Sequence, residues 1–65
     1  MDRHLLSGHR TILREVLRQL RQEAGITQEE LAQQLHEHQS YVSKYESGGK
    51  WLGFIEVWQI CQALG

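Results

Sequence analysis

Between Thr27 and Gly48 the chain carries two short helical patterns, separated only by His36-Glu37-His38. This stretch constrains the fold more than any other. Each pattern is too short to hold a helix in water alone, so each must bury an apolar stripe against a neighbour. A link this short forces the two helices to cross, as in a helix-turn-helix. In the first, Thr27 suits an N-cap, and Glu30 three residues on completes a capping box. Glu29 and Glu30 also fall in the positive first turn. Leu31, Ala32 and Leu35 form its inward stripe. The second runs from about Gln39 to Glu46 and ends at Ser47-Gly48-Gly49. Val42 and Tyr45 point inward. Gln39, Ser40, Ser43 and Lys44 make the other face, rich in hydrogen-bonding groups and poor in negative charge.

The flanks read as two more helices. Over 9–24, Leu13, Val16, Leu17, Leu20 and Ala24 recur at helical spacing, with Arg10, Arg14, Arg18 and Arg21 mostly outside the stripe. Gly25 stops that helix. The last segment, FIEVWQICQALG, sets Phe54, Val57, Ile60, Cys61 and Leu64 on one side, with Ile55 and Trp58 widening it. Its Val, Ile and Trp favour strands, but the spacing of three and four predicts helix. Residues 1–8 are left as an irregular or short helical arm, and 9–65 as the domain.

At 65 residues there is room for one domain with a small core. Proline is absent and 40% of residues are apolar, which excludes wholesale disorder. The single cysteine cannot form a disulfide within the chain, which fits a reducing compartment. The start, MDRHLLSGHR, lacks the apolar core of a signal peptide. No apolar run approaches the roughly 20 residues of a membrane span. A soluble, cytoplasmic protein without a membrane partner is expected. The net charge of −1 argues against coating nucleic acid by bulk charge but leaves room for a local basic face.

The run LRQLRQEAGITQEELAQQL, then QSYVSKYESG, then IEVWQICQALG closely resembles the helix-turn-helix domain of the XRE family, which includes the Cro-type phage repressors. The resemblance spans roughly Leu13 to Gly65. It implies an all-α, compact four- to five-helix, lambda-repressor-like fold. It also implies sequence-specific binding to double-stranded DNA and transcriptional regulation, usually as a homodimer on a palindromic operator.

In that arrangement the helix opened by Gln39 lies in the major groove. Gln39, Ser40 and Lys44 would then read bases, since glutamine pairs with adenine and lysine donates to guanine. Gln28, at the start of the preceding helix, sits at a natural phosphate site. Tyr41, Ser43 and Lys50 are further phosphate candidates. Arg21 and Glu46 match a pair that resembles the family's internal salt bridge. Departures from the family pattern are His36 where glycine is usual, the acid Glu37, and the loss of basic and capping residues around Trp51 and Gly53. A fifth helix common in phage repressors has no counterpart before Gly65. Either the arm and the Trp-bearing helix replace it, or the chain is part of a longer one.

Trp51, Ile55 and Trp58 form a candidate dimer surface, against the simpler reading that they cap the core. That reading is weighted slightly towards core for Trp51 and towards surface for Trp58. The spacings His4/His9 and His36/His38 do not match a helical zinc pair, so no metal or other cofactor is expected. Cys61 is expected to be a buried, inert thiol. No nucleophile with a base and an orienting group can be named, so no enzyme and no small-molecule substrate is expected. The main alternative is a protein-interaction or antitoxin-type module that keeps the fold with weak or no DNA binding.

Overall fold

The computed structural model describes residues 3–65, with side-chain surroundings from residue 8 onward. It holds four helices: α1 (Arg3–Glu23), α2 (Gln28–Gln34), α3 (Gln39–Ser47) and α4 (Phe54–Leu64). No break in the helix marks residue 8, because α1 starts at Arg3. Met1, Asp2 and the side chains through Ser7, His4 among them, lie outside the described residues.

Three helices end in one motif. After α1, Gly25 N–H donates to the Gln22 carbonyl and Ile26 N–H to that of Arg21. After α2, His36 N–H reaches Gln33 and Glu37 N–H reaches Ala32; after α3, Gly48 reaches Tyr45 and Gly49 reaches Lys44. These paired bonds need a left-handed residue at the stop. Gly25 and Gly48 supply it without strain, while His36 adopts φ 57° with a full side chain. That costs roughly 1–2 kcal/mol relative to glycine's freedom there. The turn of the helix-turn-helix is therefore held by its hydrogen bonds and by packing, not by residue preference.

The core is one cluster: Leu17 from α1, Leu31 and Ala32 from α2, Val42 and Tyr45 from α3, and Ile60 from α4. Leu13, Ile26, Leu35, Tyr41, Leu52, Ala63 and Leu64 pack around it. Among the described residues the buried Tyr45 hydroxyl has no hydrogen-bond partner, and burial pushes its pKa up.

Several inward expectations fail. On α1, Val16 and Leu20 are 46% and 40% exposed while Arg21 is buried, and Ala24, just past the helix end, is exposed. On α4, Phe54 is 82% exposed and Cys61 is also exposed, so the thiol is not shielded. Both helices lie at the rim of a small core, and each is covered along a narrower line than its apolar stripe. Trp51, 67% exposed, does not cap the core either.

Two carboxylates tie the helix starts. Glu30 Oε1 accepts from Thr27 N–H at 2.9 Å, and Thr27 Oγ1 accepts from Glu30 N–H at 3.0 Å. Glu56 Oε1 accepts from Gly53 N–H at 2.8 Å, with no side chain at Gly53 to complete the box. The backbone donor at Thr27 holds the Glu30 carboxyl below its ordinary value, helped by the Thr27 hydroxyl. The Gly53 N–H does the same for Glu56, with Lys50 and Tyr41 adding to it. A carboxylate depressed by folding contributes stability that is complete above its unfolded value and lost as pH falls through its folded value. Wild type should therefore lose stability below about pH 4.5. Replacing both residues by glutamine should flatten this loss. Urea midpoints followed by circular dichroism from pH 7 downward would measure it, and an equally steep fall in the double variant would rule these groups out as its source.

Candidate nucleic-acid interface

α3 is anchored on its inner side by Val42 and Tyr45, both at most 1% exposed. That leaves Gln39, Ser40 and Lys44 exposed on the outer side, with Ser43 half-buried. Its N-cap is His38, whose Nδ1 accepts from Ser40 N–H at 3.1 Å and lies 3.0 Å from Ser40 Oγ. An accepting Nδ1 places the proton of the neutral ring on Nε2. Histidine is outside the usual capping set, so the sequence patterns miss this role. Only the spacing to Ser40 hints at it.

Behind the exposed face runs a chain of polar contacts. Arg21 Nε donates to Glu46 Oε2 at 2.7 Å, and Arg21 Nη2 donates to Oε1 at 3.0 Å. Arg21 Nη1 also donates to the Ile26 carbonyl at 2.9 Å, fixing the loop before α2. Glu46 Oε1 accepts as well from Gln28 Nε2 at 3.0 Å. Gln28 Oε1 in turn accepts from Gln39 Nε2 at 3.3 Å. Thus a buried two-point ion pair reaches the surface through two amides. Gln39 is steadied by this bond yet keeps its Oε1 and one N–H. Those are the one acceptor and one donor that a bidentate contact with an adenine edge requires.

Ser43 and Gln28 line a shallow hollow with Arg18, Arg21, Glu46 and Ser47. Exposed Arg18 on its rim is a basic side chain the sequence reading leaves unassigned. Two other candidates are engaged elsewhere. Tyr41 donates its hydroxyl to Glu56 Oε2 at 3.3 Å, and its pKa is pushed up to about 12, chiefly by burial and then by Glu56. Lys50 Nζ lies 3.7 Å from the same Glu56 oxygen and 5.5 Å from the Tyr41 ring centroid. Both belong to a cluster that ties α3 to α4. Trp51 and Trp58 line separate hollows, Trp51 with Arg10 and Lys50, Trp58 with Leu35 and His36.

A family model described as helix-turn-helix matches residues 17–65. The chain belongs to the XRE-type helix-turn-helix family. No curated protein and no solved structure matches the chain. The XRE-type match covers all of α2, α3 and α4 together with the part of α1 that carries Leu17 and Arg21. Membership makes the chain a DNA-binding regulator of XRE type, in a family that is generally non-enzymatic. Among the described residues no helix is long and apolar enough to cross a membrane, and no three or more His, Cys, Asp and Glu side chains converge to hold a metal ion.

Proposed function

We propose that the protein is a sequence-specific transcriptional regulator whose α3 enters the major groove, with Gln39, Ser40 and Lys44 at base edges. Gln28, Ser43 and Arg18 flank it at the phosphates. Tyr41 and Lys50 serve mainly by fixing α3 against α4. The observation that carries this reading is the exposed amide of Gln39, held by Gln28 on the buried Arg21–Glu46 pair. Rigid support of a polar helix face is what base reading needs and a merely solvated face does not.

Dimerisation is assigned to the outer face of α4, where Phe54, Ile55 and Trp58 are 82%, 63% and 55% exposed. Trp51, on the Arg10 side, is left out of that surface. The same apolar face and the exposed acid Glu37 are what favour the rival reading, an interaction module with weak DNA binding. Selection of bound duplexes from a random pool separates the two. The expected result is an enriched palindrome with half-sites about 34 Å apart. Its affinity should fall by roughly 0.9 log units per log unit of salt for each phosphate neutralised. A pool that shows no enrichment at low salt would overturn the regulator reading in favour of the module.

A further inference from the structure

We propose that Arg10, Arg14 and Lys50 form an oxyanion site for a phosphate group, walled by the Trp51 ring and backed by Gly48. It stands apart from the α3 reading face and does not rest on it. The three cations line one cavity of about 40 Å³ together with Gly48, Trp51 and Leu52. That is room for roughly three water-sized groups. The chain has only seven Lys and Arg residues, so three at one cavity is a local concentration that the net charge of −1 conceals.

The two arginines are posed differently. The Arg10 guanidinium lies over Trp51, 3.2 Å from the ring centroid. Stacking uses its flat face and leaves its N–H edge free to donate. The Arg14 guanidinium rests against Gly48, where any Cβ would collide with it. Gly48, with φ 90°, therefore both ends α3 and makes room for this side chain. Among the described residues the ion pairs are Arg21–Glu46 and Lys50–Glu56, and no carboxylate pairs with either Arg10 or Arg14.

Arg10 and Arg14 are one helical turn apart on α1, a spacing at which like charges repel. The stacking on Trp51 and the negative end of the α3 dipole each account for one arginine. Neither explains a cavity shared by both arginines when, among the described residues, the one carboxylate beside the cluster, Glu56, pairs with Lys50 instead. An oxyanion does, because guanidinium forks match phosphate oxygens two at a time. A backbone phosphate of nucleic acid and a free phosphate group share this chemistry.

The test follows the full chain by two-dimensional NMR. Titration with inorganic phosphate against chloride, at constant ionic strength, should give saturable shifts at the Gly48 amide and the Trp51 indole N–H. Arg10→Gln with Arg14→Gln should weaken the site roughly tenfold or more, since charge-assisted bonds are lost. Arg10→Lys with Arg14→Lys, which keeps charge but not the fork, should fall between. A second arm measures the salt dependence of binding to a mixed-sequence duplex. A slope reduced by about 0.9 per lost phosphate contact in the glutamine variant assigns the site to a nucleic-acid backbone. An unchanged slope with saturable, variant-sensitive phosphate binding assigns it to free phosphate. Phosphate shifts that are linear or persist in the glutamine variant, together with an unchanged duplex slope, overturn the site. If the chain binds no duplex at all, the proposed function falls and the phosphate titration alone decides this site.

Discussion

Glu46→Ala is expected to lower the unfolding free energy by about 3–5 kcal/mol. The Glu46 side chain is 5% exposed and Arg21's is 11%, so water does not replace what is removed. The variant strips the Arg21 guanidinium of two short bonds and leaves it buried beside α3. Arginine cannot escape by shedding its proton. Gln28 loses its acceptor in the same step. A domain this small has roughly 3–5 kcal/mol to lose in total, so Glu46→Ala should be largely unfolded at room temperature. Urea melts followed by circular dichroism read this directly. Arg21→Met with Glu46→Leu should recover much of the loss, because a buried pair contributes little beyond an apolar replacement of similar size. A loss below about 1 kcal/mol in Glu46→Ala would mean that solvent reaches the pair, as at surface ion pairs.

The middle of the chain is the part most legible from sequence. Thr27 and Glu30 form the capping box their spacing predicts, and Leu31, Ala32, Val42 and Tyr45 are buried as their stripes require. The reason is geometric. α2 and α3 pack closely on each other, so almost any apolar residue on their inner sides meets a partner. α1 and α4 are different. A stripe records which residues are apolar, not how wide a neighbour is available to cover them. Val16, Leu20, Phe54 and Cys61 lie on correctly read helices yet beyond the covered line. The same bias hides Arg21, since periodicity counts apolar residues and places a buried cation outside the stripe. Its pairing with Glu46 was legible only through the family resemblance, because helices far apart in sequence leave no local sign of contact. Likewise His38 at the N-cap and the Arg10–Trp51 stack depend on side-chain reach across turns, which residue spacing does not encode.

Gln39→Ala with Lys44→Ala should leave the fold intact and remove most of the discrimination between DNA sequences. Both side chains are exposed, and the side-chain bond Gln39 makes among the described residues, to Gln28, is long at 3.3 Å and lies at the surface. Its loss costs little stability. Each good base contact is worth about 1–3 kcal/mol against the wrong base. Together the two changes should cost about 2–6 kcal/mol on the selected site, or roughly 30- to 20,000-fold in affinity. Binding to unrelated duplexes should fall far less, because only the Lys44 charge contributes there. Gln28→Ala is the informative companion. It leaves every proposed base contact in place but removes one phosphate candidate and frees the Gln39 amide, so it should weaken selected and scrambled duplexes alike to a modest extent and relax preference at the base position Gln39 reads. Gel shifts at fixed salt on the selected and a scrambled duplex give both ratios. If the double variant holds the selected site as tightly as wild type, sequence is read elsewhere. α3 would then be a supported helix with a solvated face, and the base contacts would have to come from another exposed polar face of the domain.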